Sequence, residues 1–276
     1  MAFSINVNAG ALSALRNLSD TNNELNTTQT RINTGLEVAS ARDNAAVFSI
    51  AQKLRGDLRG LSAVDQSLDR GISATDVALA AATAISDLLL ELKEKAVAAS
   101  DEGLDTSSRN ALAEDFDALK KQITSITANA EFNGTNLIDS GTDAIVAITN
   151  SDATQTLTVL HEDLTLGSTT IVITANQGIS TQTTAADAVT DINAAIDNLN
   201  AALTRLGSGA TALEQSRDFN ARLSDVIEVG IGNLVDADLA TESANLQALQ
   251  VRQQLGIQAL SIANQSPQQI LSLFQG

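Results

Sequence analysis

Two close pairs of carboxylates, Asp115 with Asp117 and Asp236 with Asp238, are the first places to look for acid–base chemistry in this sequence. A general acid and its partner base must converge on one substrate atom. Residues two apart on a helix project from different faces, so neither pair converges. Asp236 stands just before a helical run and is read as its cap, accepting from amides left free at a helix start. The chain has one histidine, His161, and no cysteine, which removes most metal-ligand and nucleophile sets. His161 falls in a strand-forming segment and is read as a surface residue. No catalytic, metal or cofactor site emerges, and the chain reads as a structural protein rather than an enzyme.

Composition agrees. Of 276 residues 43% are hydrophobic, mostly Ala, Leu, Ile and Val, while aromatics are 2%, all of them Phe. Enzyme cores and pockets are usually anchored by large aromatics; Ala and Leu suit helices packed side by side at close range. A net charge of −17 repels phosphate backbones and anionic lipid, which argues against nucleic-acid and membrane partners. No apolar run is read as approaching the roughly 20 residues of a membrane span. The first residues, Met1 to Asn8, have neither the basic start nor the apolar core of a signal peptide. The one proline, Pro267, leaves almost no slow X-Pro bonds. That suits a chain that travels unfolded and refolds quickly, and equally a chain that is simply helical.

The elements that would hold such a chain together are visible as periods. From Val47, steps of three or four residues pass through Ala51, Leu54, Leu58, Leu61, Val64, Leu68, Ile72, Thr75, Leu79, Ala82, Ile85, Leu89, Leu92 and Ala96. The mean step is 3.5, the period of a left-handed coiled coil. It predicts one rod of roughly 75 Å at about 1.5 Å per residue. Asp101-Glu102-Gly103 breaks the rod. A shorter helix through Leu112, Phe116, Leu119, Ile123, Ile126 and Ala130 then returns antiparallel and stops at Asn133-Gly134. Far downstream Val189, Ile192, Ile196, Leu199, Leu203, Leu206, Ala210 and Leu213 form another seam. Leu54, Leu58, Leu61, Leu68, Leu89, Ile196 and Leu203 are the expected coiled-coil core. Between the seams, residues 140–184 turn to Thr, Ile, Val, Ser and Gly and read as two or three short strands. The fold class is mainly α: a long antiparallel coiled-coil bundle built from both ends of the chain, with a small β-rich insertion in the middle.

The chain ends are more polar. Leu12, Leu15, Leu25 and Ile32 keep a helical seam with Asn22 and Thr28 inside it; Leu246, Leu249, Leu260 and Ala263 make another, interrupted by Gln253 and Gly256. Neither helix buries enough apolar surface alone to offset its ordering entropy. Both are expected to be disordered when the chain is free and to fold against each other and against neighbours.

Short motifs lie at both ends, in order. They are Ile5-Asn6-Val7-Asn8, Arg31-Ile32-Asn33-Thr34-Gly35-Leu36, Ala39-Ser40-Ala41-Arg42-Asp43-Asn44-Ala45-Ala46, Gly71-Ile72-Ser73 and Phe132-Asn133-Gly134. Asp236-Ala237-Asp238-Leu239-Ala240-Thr241-Glu242 and Ala263-Asn264-Gln265-Ser266-Pro267-Gln268 follow near the C-terminus. In these the chain resembles bacterial flagellin, over residues 1–139 and 185–276. It departs mildly at Asn33-Thr34 and Asp43-Asn44, where the family usually has S-S and D-D.

The resemblance implies a structural subunit that self-polymerises into the flagellar filament for motility. Residues 1–40 with 235–276 would line an inner tube, with Leu12, Leu15, Leu25, Ile32, Leu246, Leu249, Leu260, Asn264 and Pro267 in the assembly helices. Residues 41–139 with 185–234 would form an outer tube, and 140–184 a surface insertion. It also implies an extracellular filament whose subunits leave, without a cleaved signal peptide, through the flagellar export apparatus, met by an export chaperone, a filament cap and hook-junction proteins. The rival readings are a hook–filament junction protein of the same superfamily, which lacks the Asn264-to-Gln268 motif, and an unrelated helical binding module. Where many flagellins carry Q-R-x-R-E-L on the long helix, this chain has Leu90-Glu91-Leu92-Lys93-Glu94-Lys95. An animal innate-immune receptor reads that stretch in flagellins of the enterobacterial type, which makes Leu90 and Glu91 candidates for evading it.

Overall fold

The computed structural model describes residues 8–273, with side chains to residue 265. The Ile5-Asn6-Val7 motif and the side chain of Pro267 lie outside the described part. Among the described residues five helices and four short strands follow in order: α1 (Ala9–Thr34), α2 (Ala45–Ala99), α3 (Thr106–Asn129), β1 (Glu131–Phe132), β2 (Thr135–Asn136), β3 (Ile145–Ile148), β4 (Thr156–Val159), α4 (Gln182–Val235) and α5 (Leu239–Leu273). They divide into two compact units, Asp57–Val226 and Met1–Gly56 with Ile227–Gly276. The expected boundaries at 40/41 and 234/235 differ because the start of α2 and the end of α4 belong with the chain ends. There Val38, Ala51, Ile231 and Val235 form a small core of their own.

α2 is a single helix, and all fifteen positions of the seam from Val47 are buried or half-buried along it, the twelve from Leu58 onward lying in the larger unit. Within this unit two rows of strict seven-residue spacing are buried throughout. One is Leu61, Leu68, Thr75, Ala82, Leu89 and Ala96; the other is Val64, Gly71, Ala78, Ile85, Leu92 and Ala99. On α4 the rows are Ile192, Leu199, Leu206 and Leu213, alternating with Ala188, Ala195, Ala202 and Gly209. The helices run antiparallel, since Arg217 reaches Asp69 at 3.7 Å while Asn220 donates to the Leu61 carbonyl at 3.0 Å. Small residues bring the backbones close: a Cβ on Gly71 would lie 3.4 Å from Leu213 Cδ1. Ile196 and Leu203, expected at the centre of the seam, flank it half-buried because the alanines one residue before them face the partner helix. One stretch of α2 is, by length and composition alone, apolar enough to cross a membrane, contrary to the sequence expectation. Its Ala78, Ala82, Ile85, Leu89 and Leu92 are core residues here.

Helix ends are closed by side chains. Arg109 donates from Nε to the Ala99 carbonyl at 2.9 Å and from Nη2 to that of Asp101 at 2.8 Å, satisfying acceptors that the end of α2 leaves free. Asp105 caps α3 by accepting from the amides of Ser107 and Ser108 at 2.8 and 3.0 Å. The Asn133-Gly134 turn joins β1 to β2 with both residues at positive φ, 51° and 83°, the conformation of a tight two-residue hairpin.

Residues 140–184 are less separate than the sequence suggests. They hold one antiparallel hairpin, with Ile145 opposite Val159 and Ile148 opposite Thr156, and are otherwise mostly irregular. Ala147, Val159, Leu164, Ile171, Ile173 and Ile179 join the main core almost fully buried. Glycines on the helices receive the segment: a Cβ on Gly60 would stand 2.8 Å from Ser151 Cβ, and one on Gly209 2.9 Å from Val159 Cγ1. The surface-insertion reading is therefore corrected; one side of this segment completes the hydrophobic core. His161 is likewise drawn in, with a side chain only 16% exposed and Nε2 2.8 Å from the Asp139 carbonyl oxygen.

Candidate assembly surface of the chain ends

Among the described residues no group of three or more His, Cys, Asp or Glu side chains could hold a metal ion. The carboxylates singled out by spacing serve as structural contacts. Asp115 accepts from Lys95 at 2.9 Å, and Asp117 from Lys120 at 2.8 Å. Lys120 is buried, its charge satisfied further by the carbonyls of Ala175 and Gln177 at 2.9 and 2.5 Å. The cap of α5 is Asp238 rather than Asp236. Asp238 accepts from the Ala240 and Thr241 amides at 2.9 and 3.3 Å and from the Thr241 hydroxyl at 2.7 Å. Those bonds stabilise its ionised form and hold its pKa below the ordinary value, the Thr241 hydroxyl contributing most. Asp236 instead bridges backbone to backbone with Leu36.

That bridge begins the most informative surface. α1 and α5 lie antiparallel, joined at one end where the Ala237 amide donates to Gly35 O at 2.9 Å and the Glu37 amide to Val235 O at 2.7 Å. Three polar contacts follow along the pair. Arg31 Nη1 donates to Glu242 Oε1 at 2.8 Å, Gln253 Nε2 to Asn22 Oδ1 at 2.7 Å, and Asn8 Nδ2 to the Ala263 carbonyl at 2.8 Å. The shared face of α1 is Ala11, Ala14, Leu18, Thr21, Leu25, Thr28 and Ile32; that of α5 is Glu242, Leu246, Leu249, Gln253, Gly256, Leu260 and Ala263. Only Leu25 and Leu249 among its apolar members are buried, beside the polar Thr28 and Glu242.

The expected assembly residues divide accordingly. Leu25, Ile32, Leu246, Leu249 and Leu260 lie on the shared face. Leu12 and Leu15 do not; they are 47% and 53% exposed, because the seam at this end runs through Ala11 and Ala14. Asn264 is exposed. On α5, Val251, Leu255, Ile257 and Ile262 are also more than half exposed, a set the sequence reading missed although Val251, Leu255 and Ile262 recur at four- and seven-residue steps. Leu61, Leu68 and Leu89 are buried in the coiled coil and Leu54 and Leu58 half-buried, while Leu90 and Glu91 are exposed.

Charge is distributed unevenly. The unit holding the chain ends has eight carboxylates against six cations, and the other has twenty-five against ten. Nearly all the net charge of −17 thus sits on the Asp57–Val226 unit. The exposed apolar residues of α1 and α5 occupy a nearly neutral one, which like copies can approach with little repulsion.

Comparison with known proteins accords with this arrangement. Residues 5–144 match the bacterial flagellin N-terminal helical region and residues 189–274 the bacterial flagellin C-terminal helical region. Flagellin FljM of Caulobacter vibrioides is 48% identical over 272 residues, 99% of this chain and 98% of that protein. The flagellin of Brucella melitensis is 38% identical, and flagellin C of Rhizobium meliloti 35%, each spanning 99% of both chains. Among solved structures, Bacillus cereus flagellin superposes with a TM-score of 0.50 at 21% identity, covering 56% of this chain and 88% of that one. A protein described as a flagellar hook-associated protein of Vibrio parahaemolyticus superposes with 0.58 at 10% identity, covering 70% and 100%; both likenesses concern the fold alone. Matching both terminal regions of the family and nearly the whole length of its members, the chain belongs to the bacterial flagellins.

Proposed function

We propose that this chain self-polymerises into the filament of a bacterial flagellum through its paired ends, as a structural subunit without catalytic duty. The observation that carries the proposal is the exposed apolar set Leu12, Leu15, Val251, Leu255, Ile257 and Ile262 on two helices of a nearly neutral unit. Exposed apolar side chains gathered in this number on two helices mark an interaction site. The α1–α5 pair buries few side chains of its own, so neighbouring copies supply most of its stability. In the filament the pair lines the inner tube and the coiled coil of α2 and α4 the outer tube. Subunits reach the growing end through the flagellar export apparatus, escorted by an export chaperone, and add beneath a cap onto hook-junction proteins.

The test is elongation. Purified full-length chain, incubated with sheared filament seeds, should extend them into long filaments seen by electron microscopy. A hook–filament junction protein would not extend them; its related fold keeps that alternative in view, and the full-length identity to flagellins argues against it. Leu90 and Glu91, exposed on α2, act in the same proposal as positions that weaken recognition by the animal flagellin receptor.

A further inference from the structure

We propose that the Arg31–Glu242 ion pair is a specificity determinant of chain-end pairing: with the backbone bonds of Gly35 and Glu37 to Ala237 and Val235 beside it, it fixes the one register in which α1 accepts α5, and that register builds the surface used for assembly. The proposal rests on the filament reading for its last step only.

The apolar residues between the two helices discriminate poorly among registers. Sliding one helix by a heptad, about 10.5 Å, exchanges Leu25 for Leu18 or Ile32 and leaves a comparable seam. The polar groups do discriminate. A slip one way brings Glu24, seven residues before Arg31, opposite Glu242 and sets Arg31 against Val235. A slip the other way sets Arg31 against Leu249 and carries Glu242 beyond the end of α1. Either slip leaves a charge desolvated without its partner, which a helix interface tolerates badly. Glu242 is 8% exposed and Arg31 is its one ion-pair partner among the described residues. The side-chain bond between Asn22 and Gln253 and a notch at Gly256 agree with the same register. A Cβ on Gly256 would stand 3.3 Å from Leu18 Cδ1, so the bare backbone admits Leu18 there.

Register matters because the exposed apolar residues come from both helices. Asn8 contacts Ala263, and Leu18 contacts Gly256. Leu12 and Leu15 therefore lie level with the stretch of α5 that carries Ile257 and Ile262. Shifting one helix by a heptad separates the two sets, and an adjoining copy meets a different surface.

The chain lacks cysteine, so register can be read directly by an engineered disulfide. Full-length protein carrying Asn22→Cys and Gln253→Cys should cross-link within one chain on mild oxidation. Adding Arg31→Glu or Glu242→Arg should slow cross-linking about tenfold or more, and combining the two should restore it, as expected for directly coupled residues. In the cysteine-free chain the same charge variants are assayed for extension of seeds, with circular dichroism to establish that the helical core is folded. Each single variant should fail to extend seeds and the double variant should succeed. An equimolar mixture of the two singles should fail, because the pair forms within one chain. Cross-linking indifferent to either charge change, absence of rescue in a folded double variant, or rescue by the mixture would each overturn the proposal. If the unaltered chain does not extend seeds, the filament reading fails, and the cross-linking result still decides the register claim.

Discussion

Lys95 Nζ donates to Asp115 Oδ2 at 2.9 Å across α2 and α3, which leaves Glu91, one turn earlier on α2, without a cation within 4 Å among the described residues. The bond to Asp115 raises the Lys95 pKa, with Glu94 and Glu91 adding smaller effects of the same sign. Lys95, four residues on from Glu91, is taken by the neighbouring helix. Glu91 presents its charge to solvent beside Leu90, which is 53% exposed.

A receptor that reads this stretch through a positive charge meets a negative one here. Charge reversal at an interface costs about 2–5 kcal/mol, roughly 30- to several-thousand-fold in affinity. The monomer should be a poor activator in a reporter-cell assay, and Glu91→Arg, alone or with Leu90→Gln, should gain activity. Strong activation by the unaltered chain would show that these positions do not govern recognition.

The coiled coil makes a sharper distinction among leucines on one helix. Leu68 is completely buried, so Leu68→Ala should lower unfolding free energy by about 2–5 kcal/mol. Leu90→Ala, on the solvent side, should change it by about 0.5 kcal/mol or less. Urea denaturation of both variants checks this, and equal effects would contradict the helix orientation.

The large members of that seam were legible in the sequence because Leu61, Val64, Leu68, Ile85, Leu89 and Leu92 recur at heptad spacing. Its small members were not: Gly71, Ala78, Ala195 and Ala202 contribute little hydrophobicity, and their value lies in how near they let another backbone come. The same limit misplaced Leu12 and Leu15, where size drew the reading away from Ala11 and Ala14. Ile171 and Ile173 were recognised as strand-forming, but their burial depends on helices remote in sequence, which a local pattern does not record. Asp236 and Asp238 each suit a cap, and the backbone bridge to Leu36, a long-range contact, decides between them.

Residues 140–184 should not be replaceable by a short turn without loss of stability, because doing so uncovers the core around Ile171, Ile173 and Ile179. Ile171→Ala alone should cost about 2–5 kcal/mol. Thermal unfolding by circular dichroism measures both; a shortened chain as stable as the original would show that the helices repack without the segment.

Asp105 and Asp238 cap α3 and α5, and Asp43 holds the Ala39–Ser40 turn; hydrogen bonds lower the pKa of all three. For Asp105 and Asp238 the largest contribution is a side-chain hydroxyl, from Ser108 and Thr241; for Asp43 it is the Ser40 amide. A carboxylate whose pKa is lower folded than unfolded contributes stability that is fully present above the unfolded value, near 3.8. That contribution disappears as pH falls through the folded value. Helicity should therefore drop below about pH 4. Asp105→Asn, which keeps an acceptor at the cap, should flatten the part of the profile belonging to α3. A profile identical to that of the unaltered chain would mean that this cap does not contribute.

The segregation of charge bears on assembly itself. With twenty-five carboxylates against ten cations on the Asp57–Val226 unit, lining up copies in a polymer brings like charges together, while the nearly neutral chain ends resist far less. Screening acts within a Debye length, about 30 Å at 0.01 M salt and about 10 Å at 0.1 M. Raising salt over that range should shorten the reach of repulsion between copies while leaving the apolar contacts of Leu12, Leu15, Leu255 and Ile262 intact. Seeded elongation should therefore speed up with sodium chloride, and the concentration of free subunit left at equilibrium should fall. Replacing exposed carboxylates such as Asp76, Asp87 and Glu114 by their amides should mimic salt and weaken the dependence on it. Sedimentation of polymer across a salt series gives both quantities. Elongation that slows as salt rises would mean that ion pairs between copies, rather than apolar surface, drive assembly.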